Sequence, residues 1–418
     1  MRIKNTLSLF FFCSFSFVVQ GQDRIGENLF TDSYALNPEK EAMVELSLDN
    51  LSFLKNNETD GSSSDTDGAI TKGYTVPGFR LNPHIIYYPL SMVKLEAGVS
   101  LLKFWGANKY PNRAYRNIAD WKADDYQIGF HFLPFFRVQV QPIPQLNLVM
   151  GNLYGGSNHR LIEPLYYPEL NFTADPEMGA QILYDSKNVH WDLWINWESF
   201  TFRNDTHNEV FTAGISGCLH FPQSRSPFYL EVPIQALVTH RGGEIQEIHQ
   251  GILTHINGFT GLRLGFNSAT SSLRKIELNI LGGGFTSQAG EKLALPFTRG
   301  WAFYSNIHAW VRNFQLKMGF WRSNDFVNIL GNPIFGNESA EFPGRTFSRV
   351  MVFHSGIKYE YTIGKGVYFG ADLDYYCNPR LIFYEYSDDI PVTTGRSGMC
   401  TFGMYLRVNP SIVLKSGK

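Results

Sequence analysis

Three things are scarce in this 418-residue chain: charge, cysteine and long apolar runs. Charged residues make up 18%, below the roughly 25% usual for soluble domains. The formal net charge is −2 with no basic stripe, which excludes a nucleic-acid binder. Four cysteines are too few for a scaffold built on disulfides. After the N-terminus no uncharged apolar stretch reaches the ~20 residues of a membrane-crossing helix, which excludes a helical bundle in a membrane. Aromatic residues, in contrast, are in excess: 34 Phe, 21 Tyr and 8 Trp, or 15% of the chain.

Residues 1–21 read as an export signal. Arg2 and Lys4 precede an apolar stretch from Leu7 to Val19, followed by a small-residue cleavage site at Val19-Gln20-Gly21. Cleavage there removes Cys13 and leaves Cys218, Cys377 and Cys400. Cys377 and Cys400 flank one loop and are candidates for a disulfide, with buried free thiols as the equal alternative.

From Glu41 onward apolar residues alternate with period two, the signal of half-buried strands. Val189, Trp191, Leu193, Ile195 and Trp197 share one face; His190, Asp192, Trp194, Asn196 and Glu198 share the other. About 16 such segments can be counted between residues 42 and 408, and one mis-split hairpin makes the count 14 or 18. Pro134 is expected to mark a bulge or bend in the fourth. The gaps between segments alternate in length. Long gaps at 55–78, 104–124, 154–176, 202–208, 240–252, 284–300, 323–346 and 378–397 enclose short ones at 89–92, 142–145, 185–188, 222–227, 267–273, 312–313 and 362–366.

Two alternating loop classes place the two strand ends in different environments, as in transmembrane β-barrels. In hydrocarbon every backbone polar group must be bonded internally, so a closed barrel is the β solution. The aromatic excess then belongs at the membrane–water interfaces. The expected fold is all-β: a closed antiparallel transmembrane β-barrel with short periplasmic turns and long external loops. At this level the chain resembles the outer-membrane porin-like β-barrels of Gram-negative bacteria. The resemblance covers roughly residues 41–410 and is architectural. It implies an outer-membrane location, a periplasmic segment at 22–40, a tail at 411–418, contact with outer-membrane lipid and room for a homo-oligomer. Such barrels typically end on an aromatic residue, whereas this chain ends in Lys418.

The candidate inner face mixes signs, which argues against a single-sign selectivity ring. On it lie His190, Asp192, Trp194, Glu198, Glu231, Arg263, Tyr304 and Lys317, read as pore-lining residues. The loop Gly151–Leu165 is the most unusual. Gly155 and Gly156 permit sharp turns, and Asn152, His159, Arg160 and Glu163 accompany them. The loop is read as a constriction that folds inward, against the plainer reading of an external loop packed on its neighbours. His240-Arg241-Gly242-Gly243 opens another long loop at the same rim. Ser63–Ile70 has the oxygen spacing of a calcium loop, yet its twelfth position is Tyr74 instead of a bidentate Glu, so no metal is expected. No cofactor is expected either.

The leading functional expectation is a porin-like channel for passive passage of small hydrophilic solutes, and not an enzyme. A plugged barrel serving as an adhesion or assembly platform is the first alternative. A barrel-embedded hydrolase is the second: no G-x-S-x-G elbow is present, but His190 and Asp192 share a face that a second-strand Ser would complete as a triad, and His240 is a further candidate base.

Overall fold

The computed structural model describes residues 27–59, 70–71, 73–105, 130–202, 207–222, 226–242, 251–268, 272–289, 295–340, 342, 344–384, 392–394 and 396–417. The proposed export signal and the Ser63–Asp67 stretch lie outside the described residues. Twenty strands follow in chain order: β1 Val44–Thr59, β2 Tyr74–Leu90, β3 Val93–Phe104, β4 His131–Ile143, β5 Leu146–Asn152, β6 Met178–Asp185, β7 Val189–Ser199, β8 Val210–Pro222, β9 Phe228–Arg241 and β10 Leu253–Asn267. The second half comprises β11 Leu273–Ala289, β12 Arg299–Val311, β13 Phe314–Asn324, β14 Thr346–Phe347, β15 Val350–Gly364, β16 Val367–Asn378, β17 Leu381–Tyr384, β18 Val392–Thr394, β19 Ser397–Val408 and β20 Ser411–Lys415.

Each of β1 to β12 pairs antiparallel with the next, β13 pairs with β15, then β16 and β19 follow, and β19 returns to β1. The result is a closed 16-strand barrel. The segments read from the periodicity correspond one to one with these strands, although β1 and β2 run further toward their loop than expected. Pro134 lies opposite Val99 with no register shift, so the expected bulge is absent; its missing N–H is accommodated within a regular β3–β4 pairing. The tail expected at 411–418 is also corrected. Ser411–Lys415 continues the last strand past Pro410 and pairs with Val44–Ser47 of β1.

The short turns need little. Between β12 and β13 only two residues connect the strands, and Arg312 takes a left-handed conformation with φ 52°, the sense that matches the strand twist in two-residue hairpins. Outward positions are apolar and exposed, among them Leu193, Ile182, Leu264, Ile307 and Met318. Inward positions carry Gln139, Asp192, Asn257 and Glu277, all buried. That inversion of a soluble protein's pattern is what a hydrocarbon surround requires.

The lumen is filled by two long segments and the N-terminus. Residues 153–177 turn inward, with a short helix at Leu170–Thr173. Residues 325–349 do the same, burying Phe326 and Phe335 against Trp321 and Phe347 against Phe383. The two inward segments meet, since the Tyr167 amide donates to the Leu330 carbonyl at 2.7 Å. A three-strand patch of β14, β17 and β18 covers the second segment; no period-two signal announces strands this short. At the short-turn end Leu29, Phe30 and Phe172 pack beside Tyr405, so the stretch expected as periplasmic also enters the barrel mouth.

Candidate functional site

The inward turn of residues 153–177 depends on Gly156, whose φ is +61° and where a Cβ would lie 2.7 Å from Asn171 Oδ1. Its amide donates to Glu177 Oε1 at 2.9 Å, and the next amide, from Ser157, donates to Asn171 Oδ1 at 2.9 Å. The turn delivers His159 between two carboxylates: Nδ1 is 2.7 Å from Asp192 Oδ2, and Nε2 is 2.9 Å from Glu177 Oε2. Carboxylates only accept, so both ring nitrogens donate and the ring carries a charge. The ring stacks on Trp194 at 3.6 Å and 11°, a cation–π arrangement. Trp194 can lie flat because its cross-strand partner is Gly214, where a Cβ would meet the indole at 2.2 Å. Burial opposes the charged ring, yet Glu177 and Asp192 outweigh it and lift the His159 pKa to about 10. Burial likewise opposes the Glu177 carboxylate, and His159 holds it below its ordinary value.

Glu163 fastens the other end of the turn to the opposite wall. It accepts from Lys317 Nζ at 2.9 Å, from Asn332 Nδ2 at 3.0 Å and from the Tyr376 hydroxyl. Burial works against its charge, and Lys317 overcomes that to keep the carboxyl ionised well below the usual range. Lys317 also pairs with Asp374 at 2.9 Å. The residues selected as a constriction thus divide. His159, Asp192 and Trp194 form one clamp, while Glu163 and Lys317 form a second.

The remaining candidates lie elsewhere in the lumen. Asn152 is buried at the end of β5 and accepts from the Phe136 amide at 2.7 Å. Arg160 lies on the inward turn with φ 55°, and its carbonyl accepts from Gln235 of β9 at 2.8 Å. His190 faces Asp185 at 2.6 Å, so it shares no partner with Asp192 and the one-strand triad is not assembled. Glu198 accepts from Thr212 at 2.5 Å, and Glu231 pairs with Arg263 at 2.8 Å. Tyr304 packs among Trp321, Phe335 and His354 and is buried. A cavity of about 310 Å³ remains beside the inward turn, running from Asp32 and Arg407 near the short-turn end to Glu198 and Thr212 near the long-loop end. Among the described residues no group of three His, Cys, Asp or Glu is placed to hold a metal ion. No disulfide joins Cys377 to Cys400.

A different constellation sits on the outer wall at the long-loop end. His240 of β9 and Thr254 of β10 are in register, and both point outward because Leu237 and Asn257 point in. The His240 ring lies 2.9 Å from Thr254 Oγ1 through Nδ1 and 3.0 Å from the Gly242 carbonyl through Nε2. A carbonyl can only accept, so Nε2 holds the proton and Nδ1 is left to accept from the Thr254 hydroxyl. Around the pair the wall is aromatic: Phe211 is 5.1 Å from His240, and Trp197 is 5.3 Å from Phe211. Trp197 donates to Glu209 at 3.1 Å, and Ile252 is exposed beside Gly242. Hydroxyl, base and orienting acceptor in sequence are the parts of an activated nucleophile. The sequence pointed to His240 but missed Thr254, because an 11-residue loop between two strands leaves their register open.

These features define a porin-like β-barrel with a filled lumen and a polar, hydrogen-bonded pair on its apolar exterior. A lipid A 3'-O-deacylase-type family model matches residues 36–417, and the chain belongs to that family. The expectation of a non-enzymatic barrel is thereby overturned, since the family is named for a deacylase. No curated protein matches the chain. Similar solved structures include OccAB4 of Acinetobacter baumannii, 10% identical over 90% of this chain and 100% of that one, with a TM-score of 0.45. OccK8 (OprE) of Pseudomonas aeruginosa is 10% identical over 88% of this chain and 98% of that one, with a TM-score of 0.45. A loop-deletion form of OmpT, an outer membrane protein of Vibrio cholerae, is 9% identical over 87% and 99%, with a TM-score of 0.44.

Proposed function

We propose that this barrel lies in a bacterial outer membrane and cleaves an acyl ester of a lipid A-type glycolipid in the outer leaflet. The observation that carries this reading is the His240–Thr254 pair on the lipid-facing wall at the long-loop rim. An acylated glycolipid in the outer leaflet would meet this wall without entering the lumen. Family membership supplies the substrate class, and the aromatic surround of Trp197 and Phe211 suits acyl chains at the membrane interface.

In the proposed reaction Thr254 Oγ1 attacks the ester carbonyl as His240 Nδ1 takes its proton. The same proton passes to the departing sugar oxygen, leaving the acyl group on Thr254. Water then releases the fatty acid, with His240 acting again as base. The Gly242 carbonyl keeps the ring in the required tautomer throughout. The test is release of fatty acid from purified lipid A by the protein in detergent, followed by mass spectrometry. Thr254→Val and His240→Gln should each lower the rate by about a thousandfold or more, and Thr254→Ser should retain a measurable fraction. Undiminished release by both inactivating variants would overturn the assignment.

A second reading, passive passage of small hydrophilic solutes, is favoured by the 310 Å³ cavity alongside the inward turn. Its charged wall includes Asp49, Arg80, Arg137, Glu198 and Arg407. Single-channel recording in planar bilayers separates the two readings, because the rim pair has no part in conduction.

A further inference from the structure

A second cavity, of about 240 Å³, opens at the short-turn end and is separate from both the rim pair and the His159 clamp. Its wall is built from β6 to β10 together with the inward turn, and it is rich in cations. Arg160, Lys187 and Arg263 line it with His190 and His220, against Asp185 and Glu231. Both carboxylates are already engaged. Asp185 accepts from His190 Nδ1 at 2.6 Å and from the Tyr34 hydroxyl. Glu231 accepts from Arg263 at 2.8 Å and lies 3.1 Å from His220.

The histidine is the informative group. With Nδ1 committed to Asp185, the buried Nε2 has no hydrogen-bond partner in the protein. A buried polar atom left without a partner is costly unless a ligand supplies one. Arg160 points the same way. It holds a left-handed backbone, φ 55°, which non-glycine residues seldom adopt. Gln235 enforces it from β9, donating to the Arg160 carbonyl at 2.8 Å and accepting from the Ile162 amide at 3.0 Å. The turn so held caps the one-turn helix Gly156–His159 and places Arg160 in the wall of this cavity.

We infer that the cavity binds a phosphate-class oxyanion, held by Arg160, Lys187 and Arg263, with the unpartnered Nε2 of His190 accepting from a protonated oxygen of the anion. Cationic donors from three separate parts of the chain, beside an acceptor nitrogen, suit a hydrogen phosphate, which has an O–H to give, better than a carboxylate ion, which has none. Charge-assisted bonds from guanidinium groups also suit a phosphate. The Ser216 hydroxyl, on the same wall, is available as a further donor. The site faces the lumen and leaves the rim chemistry untouched, so it stands or falls independently of the proposed hydrolysis.

The test is calorimetric titration of the full chain in detergent with inorganic phosphate, dihexanoyl phosphatidic acid and acetate. Saturable binding of inorganic phosphate, at least about tenfold tighter than acetate, is expected. Binding of the phosphatidic acid alone would equally support an oxyanion site and identify a lipid headgroup as its source. Arg160→Ala and His190→Gln should each weaken binding by roughly tenfold, and the Arg160→Ala/Lys187→Ala pair by more. Lys187 lies in an exposed turn, so Lys187→Ala alone keeps the test open if a lumen variant fails to fold. No saturable binding by the wild type up to about 20 mM of either phosphate compound would overturn the site. Equal binding by wild type and the Arg160→Ala/Lys187→Ala variant would overturn it as well.

Discussion

His159 carries a charge where water cannot reach it, and three neighbours make that tolerable. Asp192 and Glu177 neutralise it from both ring nitrogens, and Trp194 offers its face at 3.6 Å. An isolated buried cation would lose its proton instead. With a pKa raised to about 10 from 6.5, its contribution is complete below pH 6.5 and disappears as pH rises through 10. The urea midpoint of the inward segment, read by tryptophan fluorescence, should therefore fall across that window. His159→Gln should be destabilised by a few kcal/mol at pH 6.5, with the difference closing by pH 10. A wild-type midpoint as pH-independent as that of the variant would contradict this role. The histidine and Asp192 were each visible as inward candidates. Glu177 was not, because its place depends on how 18 residues of loop turn back.

At the scale of elements, the strands were legible and the loops were not. A strand declares itself through period-two chemistry that each residue obeys locally, as Val189–Trp197 does. Register is a cross-chain property, so the meeting of His240 with Thr254 had no local signal. The inward fold of Gly151–Leu165 was suggested by its glycines and charged residues, but its twin at 325–349 was not. The twin reads as an ordinary polar connection until Asn257 is seen to hold it, donating to the Val327 carbonyl at 2.8 Å and accepting from the Ile329 amide at 2.9 Å. The two segments are coupled through Glu163, which joins Asn332 of one to Lys317 of the wall. Breaking a buried ion pair by removing one charge costs about 3–5 kcal/mol. Glu163→Gln should thus loosen both segments together and raise single-channel conductance or opening frequency several-fold above wild type. Unchanged traces would mean that the aromatic packing around Phe335 holds the lumen closed without the ion pair.

For the whole molecule the decisive feature is closure, and the seam lies at β1. One flank of β1 is shared: β19 covers Asn50–Thr59, and β20 covers Val44–Ser47 beyond Asn409-Pro410. The proline interrupts the strand without ending it. Leu48 still donates its amide to the Pro410 carbonyl at 3.2 Å, so the ladder continues across the break. Ile412, Val413 and Leu414 are all exposed there, and Ile412, paired with the outward Leu46, extends the apolar exterior toward the short-turn end. Removing residues 411–418 would strip these partners from β1 and leave backbone groups open beside lipid, where no water replaces them. Lost hydrogen bonds at about 0.5–1.5 kcal/mol each set a cost of roughly 2–5 kcal/mol for the seam. The expected outcome is a barrel whose unheated gel band converts to the unfolded position at a clearly lower temperature than the full chain. Val413→Pro, which deletes one donor while keeping the length, should fall between the two. If the truncated and full chains convert together, the seam is closed by β19 alone, and the last strand serves the exterior without contributing to closure.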